Sequence, residues 1–490
     1  MKKYILNYYL LFFLGVFTFT GCTGTFDEVN TDPDRPSEEI VPSTNILAYA
    51  LRYASDNMFD EWFDLNESCG FAGQVSKLSY PEEGYYLFRP TVNNSSWSDV
   101  YAVASNLQSI INKSEVENTP NMKAVAQIFQ AQIFQIITDR WRDVPYTEAC
   151  KFSEGIIQPK YDKQEDIYPA LLNTLKAAAD ALDEDGDEIG AGDALFKGSI
   201  VAWKRYCNSL RLRLAVRISK VSPAIAKSTV EEIMGNPAKY PIIETNAQSA
   251  MFMWGKEYPE PWADYYRSRP NEYGISELMV NTLKAYNDPR LAVYAEPTPK
   301  SVEAGGKEYI GYPNGLEAYA SVSEVSKIGP RFMQNLSGFT PWFRACESYF
   351  YIAEAAKQGF NVGMTAEAAY TKAVTLSLQE NEIADAEITA YLAGVAQYDG
   401  SDEQLYNQLW IALFKQGMEA WTTFRRSGYP AGNRIAPDSH YPGHNTPPFC
   451  YSYPDTESNL NKANCAEASA SIVDYFWGRQ CYWDTRTNVH

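Results

Sequence analysis

The chain has 490 residues, with 61 acidic against 42 basic side chains, a formal net charge of −19 and a pI near 4.8. Such a charge disfavours a polyanionic partner and excludes nucleic acid, while 45% hydrophobic and 21% charged residues exclude wholesale disorder, collagen and a polytopic membrane protein. The 35 Tyr and 11 Trp point instead towards binding, because each pairs a flat apolar face with one polar handle.

At the N-terminus Lys2 and Lys3 precede an uncharged, largely apolar stretch from Tyr4 to Thr20, then Gly21 and Cys22. This is the charged, apolar and small-residue order of a secretory signal, and a Cys directly after Gly suits lipid attachment. Residues 1–21 are therefore expected to be a lipoprotein signal peptide, with Cys22 as the lipidated residue. Residues 22–40 form a polar, Pro-containing extended leader, and 41–490 a single domain, since no Gly, Ser or Pro stretch is long enough for an interdomain linker. Seven Cys remain once Cys22 is acylated. In an oxidising compartment Cys450, Cys465 and Cys481, in a loop-like tail, are the best placed to bridge.

Further along, Val125, Phe129, Ile133, Ile136 and Ile137 recur at steps of three and four residues and predict an amphipathic helix over 122–138. Ile167, Leu171, Leu175 and Ala178 predict another over 164–182, ended by the acidic run DEDGDEIGAGD. That run lacks the ligand order of a calcium-binding loop and reads as solvated. Within 209–219 the alternation of Leu210, Leu212, Leu214, Val216 and Ile218 is a strand period. Extended upstream, Trp203, Tyr206, Cys207, Leu210, Leu214 and Ile218 fit a helix face, with Arg211, Arg213 and Arg217 ringing its polar side. Helices are also expected over 348–378, broken at Gly359 and carrying the small–large–small spacing Ala366, Tyr370, Ala373, and over 409–426, ended by Ser427-Gly428.

Three His residues, at 440, 444 and 490, and eight Cys without a Cys-x-x-Cys pair give no metal-site spacing, so no metal and no cofactor are expected. Neither a nucleophile motif nor a Gly-rich phosphate loop is visible, and the chain is read as no enzyme.

Several segments together resemble the SusD/RagB family of outer-membrane lipoproteins, in the SusD-like branch with an NTDPxxP leader. They are the Cys22 lipobox, NTDPDRP (30–36), Trp97 with Tyr101, RWRDVPYTEA (140–149), WKRYCNSLRLRLAVRIS (203–219), DPRLAVY (288–294), ESYFYIAEAAKQGF (347–360), GMEAWTTFRRSGYP (417–430) and YPDTESNLNKAN (453–464). The resemblance implies a mainly α fold, a scaffold of tetratricopeptide-like helical pairs whose loops build the ligand surface, and makes 209–219 helical. It also implies that Asp27 and Glu28 belong to a surface-export signal, and that the partner is a SusC-type TonB-dependent outer-membrane transporter.

Within that frame Trp97, Tyr101, Trp203 and Trp421 lie on periodic faces and are read as core, and the RWRDVPYTEA and SLRLRLA segments as structural. The ligand candidates are aromatics and their polar neighbours in non-periodic loops. They are Tyr80, Tyr85, Tyr86 and Arg89 in 71–90; Trp254, Tyr258, Trp262, Asp264, Tyr265 and Tyr266 in 253–274; and Tyr312 in a Gly-Tyr-Pro-Asn-Gly turn. Rings that stack on sugar C–H faces, with carboxylates, amides or Arg to meet hydroxyls, are the chemistry of a glycan cradle. The expected function is capture of oligosaccharide at the cell surface. Oligopeptide capture, as in RagB-like members, and a transporter scaffold without its own ligand are the alternatives.

Overall fold

In the computed structural model, which describes residues 41–490 other than Val473 and His490, the first helix is α1 (Ser43–Asn57). It buries Ile46, Leu47, Ala50, Leu51 and Ala54 at helical steps against α2 (Pro90–Glu117). Pro90 opens α2 and Pro120 opens α3 (Pro120–Trp141), positions where the missing N–H of proline leaves no bond unmade. From there each helix packs on the next: α2 on α3, α3 on α4 (Gln164–Ala181), α4 on α5 (Ile200–Arg217) and α5 on α6 (Pro223–Gly235). A second run pairs α7 (Ala345–Lys357) with α8 (Ala366–Glu380), and α9 (Asp402–Ala412) with α10 (Gly417–Ser427), while α5 meets α7 between the runs. Such stacking of sequential pairs is the tetratricopeptide-like architecture, with Ser43–His490 forming one compact unit. The signal, the leader, Cys22, Asp27 and Glu28 lie outside the described residues.

The expected helices are present except that 409–426 is not continuous, since one helix ends at Ala412, a turn spans 413–416 and the next starts at Gly417; 209–219 belongs to α5. Its arginines overturn the expectation of a polar rim: Arg211, Arg213 and Arg217 are buried, as are the Leu residues between them. Arg213 Nη2 donates to Glu347 at 2.6 Å, and Arg217 Nη1 to Asp139 at 2.6 Å, with Glu419 lying against both arginines. Leu and Arg alternate along 209–219 because the helix is covered on every side, its charge answered by carboxylates from α3, α7 and α10.

The acidic run also has a structural task. Asp187 accepts from the backbone N–H groups of Asn121 (2.8 Å) and Met122 (3.1 Å) at the start of α3, and Asp193 accepts from Trp203 Nε1 at 2.8 Å. Among the described residues no group of three or more His, Cys, Asp or Glu is arranged to hold a metal ion. The tail cysteines do not bridge: Cys450, Cys465 and Cys481 are free and buried. Cys450 Sγ reaches the carbonyl of Arg479 at 3.2 Å, and Cys481 lies against Arg425 Nη1 at 3.5 Å. The segment is held instead by aromatic packing and by Arg425, which donates to the carbonyls of Asp139 (2.7 Å) and Phe449 (2.6 Å).

Two small antiparallel sheets complete the fold. β1 (Val75–Lys77) pairs with β3 (Tyr273–Ile275), Val75 facing Ile275 and Lys77 facing Tyr273; β2 (Ala250–Met253) pairs with β4 (Phe339–Phe343). Among the described residues no helix is long and apolar enough to cross a membrane.

Candidate ligand site

The β1–β3 pair joins the two aromatic loop segments. Tyr80 follows Lys77 out of β1, and the 253–272 segment runs into Tyr273 of β3, so both enter and leave the sheet at the same end. A buried ammonium fastens them: Lys77 Nζ lies 2.6 Å from Glu83 and 3.4 Å from Glu272, all three side chains nearly inaccessible. At the surface the Arg269 guanidinium sits 5.5 Å from the Tyr80 ring centre, and the exposed Tyr319 ring stands 5.9 Å from that of Tyr80. Gly274 is required in β3 because a Cβ there would stand 2.8 Å from the carbonyl oxygen of Ser326.

Beside this junction α1 ends and the chain turns into a π-helical segment, Glu61–Ser68. Asp60 caps it, accepting from the N–H groups of Trp62 (3.0 Å) and Phe63 (2.6 Å). The turn and the 254–268 segment enclose a cavity of about 380 Å³. Trp254, Tyr258 and Tyr265 supply its rings, and Asp56, Asp60, Glu61 and Asp264 its carboxylates. Burial raises the Asp56, Asp60 and Glu61 carboxyls above the ordinary carboxylate range, Asp60 well above it. Tyr265 is raised as well, by burial and by its hydrogen bond to Glu272. A second cavity of about 270 Å³ shares Asn57 and Asp60 with the first, and it adds the Trp62 ring and the hydroxyls of Thr91, Ser95 and Ser96.

Set against the sequence candidates, the structure gathers Trp254, Tyr258, Asp264 and Tyr265 around one cavity. Trp254 is largely buried, its Nε1 donating to Thr340 Oγ1 at 2.9 Å, whereas Tyr258 is 54% exposed. Tyr80 and Arg89 flank the site, Tyr80 against Arg269 and Arg89 with its guanidinium 5.6 Å from the Trp62 ring centre and paired to Glu83. Tyr266 is part-exposed and accepts from Gln334 at 3.4 Å. Three candidates face inward. Trp262 is fully buried beneath Lys415, whose Nζ is 4.1 Å from the ring centre; Tyr86 is buried among Phe71, Phe476 and Trp477; and Tyr85 is covered by stacking on His440 at 4.9 Å. Tyr312 lines a separate, larger cavity of about 930 Å³ that also holds Lys284, Lys300, Lys307 and Tyr309. Trp62, Asp56, Asp60 and Glu61 were not among the candidates. The signal available for them was the run DEWFD, an aromatic pair among carboxylates where the period of α1 lapses.

A helical-repeat scaffold carrying an aromatic cavity on its loops defines a binding protein. The family model described as "Starch-binding associating with outer membrane" matches residues 34–454, and this chain belongs to that SusD-like family of binding proteins, which associate with the outer membrane. A solved chitin-binding protein is 28% identical at a TM-score of 0.81, covering 91% of this chain and 100% of its own. A SusD homolog from Bacteroides uniformis is 24% identical (TM-score 0.79; 91% of this chain, 99% of that one). A chitin-binding SusD homolog from Flavobacterium johnsoniae is 22% identical (TM-score 0.79; 91% and 98%). The latter two are similar in fold. No curated protein sequence matches the chain.

Proposed function

We propose that this protein is a cell-surface lipoprotein, anchored in the outer membrane through Cys22, that captures oligosaccharide without cleaving it and delivers it to a SusC-type TonB-dependent transporter. The observation that carries this reading is the cavity between α1 and the 254–268 segment. Its aromatic walls fit sugar C–H faces, and its carboxylates, with the Asn57 amide, fit hydroxyl rims. The adjoining Trp62 cavity gives a chain of several sugar units a second place to rest. Membership of the SusD-like family and similarity to a chitin-binding protein both support a glycan over other ligands.

The test is binding of the purified protein to a glycan and peptide array, with Tyr258→Ala and Trp62→Ala alongside. Glycan binding that weakens in both variants supports the reading. Binding confined to peptides, or glycan binding indifferent to both substitutions, overturns it. Co-isolation of a TonB-dependent transporter with the native lipoprotein tests the delivery step, and its absence from a mild-detergent extract would refute that step.

A further inference from the structure

Beneath the cavity lies a buried ammonium that the proposed glycan capture does not use. Lys415 stands in the turn 413–416 between α9 and α10, its side chain almost inaccessible. Its φ of +68° is a left-handed conformation that favours glycine. A lysine held there with its charge out of water is unfavourable on two counts, and such strain persists only where the surroundings over-determine it.

The turn reaches both walls of the cavity. Lys415 Nζ donates to Glu260 Oε1 at 2.7 Å, and Glu260 Oε2 accepts from the N–H of Ala263 at 2.9 Å, which caps the helix Pro261–Ser268. That helix gives the cavity Pro261, Asp264, Tyr265 and Ser268, while the Trp262 ring on its buried side lies under the Lys415 ammonium. Two residues further on, the N–H of Gly417 donates to Asp64 Oδ1 at 3.0 Å. Asp64 belongs to the π-helical segment that, with its Asp60 cap and Glu61, forms the other wall. Lys415 also attracts Asp64, so the groups facing its ammonium are two carboxylates, one behind each wall, and the Cys69 thiol. The fit is close, since a Cβ at Gly417 would stand 2.6 Å from the backbone nitrogen of Cys69. Yet Lys415 lines neither this cavity nor its neighbour beside Trp62.

Resting on the glycan reading, we propose that Lys415 is a positioning residue for the ligand: without touching the sugar, it holds Glu260 and Asp64 and so sets the spacing of the two walls and the affinity of the cavity. Loss of the ammonium leaves the helix Pro261–Ser268 its cap but removes its tie to the turn, and the walls are then free to part.

The experiment compares the full-length wild type with Lys415→Gly and Lys415→Gly/Glu260→Gln, by dilution series on an array of chitin and starch oligosaccharides, with thermal melts alongside. Glycine suits the left-handed turn, and a neutral amide at position 260 still caps Ala263, so the double variant regains stability without regaining the tie. Measurement at pH 6 keeps Asp64 protonated in both variants, since burial pushes its carboxyl up to about 7 even against the pull of Lys415. Ile167→Ala, in the core of α4 and lining neither cavity, loses stability by another route. The expected result is affinity at least tenfold weaker in both Lys415 variants, a higher melting temperature for the double variant than for the single one, and wild-type affinity in Ile167→Ala. Affinity that recovers with the melting temperature, that is unchanged in both Lys415 variants, or that falls as far in Ile167→Ala overturns the positioning role and leaves glycan capture standing. If the double variant stays as unstable as the single one, the comparison with Ile167→Ala decides. A wild type that binds nothing on the array overturns both readings.

Discussion

The Arg52 guanidinium lies 4.7 Å from the centre of the Tyr258 ring, so one arginine of α1 props an exposed aromatic from a loop some two hundred positions further on. The prop fixes the orientation of the Tyr258 face over the cavity. Tyr258→Ala is expected to weaken glycan binding about tenfold, about 1.4 kcal/mol, while leaving stability within about 0.5 kcal/mol because the ring is half exposed. Paired calorimetry and urea unfolding check both halves of this expectation.

Lys77 is the clasp of the site. Lys77→Met would remove the buried partner that Glu83 and Glu272 share, leaving them only the part-exposed Arg89 and Arg269, and is expected to cost up to about 3 kcal/mol. Because the same ammonium ties the two loop segments, ligand affinity should fall with stability. A variant that lost neither would show that the loops are held by the strands alone.

Glu419 answers two buried arginines. Burial works against its charge, but Arg213 and Arg217 hold its carboxyl below the ordinary value. Glu419→Gln is expected to lower the unfolding free energy by about 3 to 5 kcal/mol, since it leaves two guanidinium groups short of a partner in the core. Lys300→Ala, which breaks an exposed pair with Glu324, should leave the denaturation midpoint unmoved.

Asp64 sets a pH signature. Burial pushes its carboxyl up to about 7, against the pull of Lys415. The folded state therefore binds more protons than the unfolded one between about pH 4 and 7, and this contribution to stability, complete below that window, is lost as the pH rises through it. Asp64→Asn should flatten that part of the profile. Unfolding free energies measured at pH 5 and pH 8 would then lie closer together than in the wild type, and an unchanged gap would rule out Asp64 as its source.

The helices were legible in the sequence wherever one face is apolar and the other wet, as in α4, because the period then records the boundary with solvent. α5 shows where that logic fails. With no wet face, Arg213 and Arg217 take their partners from helices more than a hundred positions away in several cases, and local pattern says nothing about them. At the site, the pattern separated loop aromatics from helical ones but not exposed rings from covered ones. Trp262 and Tyr258 lie four residues apart in the same segment, yet one is fully buried and the other half exposed, because a helix starts at Pro261 and turns the Trp262 ring under Lys415. Trp62 was illegible for another reason. Its segment starts anew after α1, behind the extended Asp60 cap, and winds as a wider π-helix in which no regular period marks which side chains face out.

The three-residue strands β1 and β3 tie together parts of the chain almost two hundred positions apart. A ligand that stills the 254–268 loop must also slow the opening of this sheet, since among the described residues neither strand has another partner strand. Amide hydrogen exchange at Leu78 and Ser276, whose N–H groups bond across the pair to the carbonyls of Glu272 and Gln74, should therefore slow together on ligand binding, so that occupancy of the cavity is readable at backbone positions the ligand never touches.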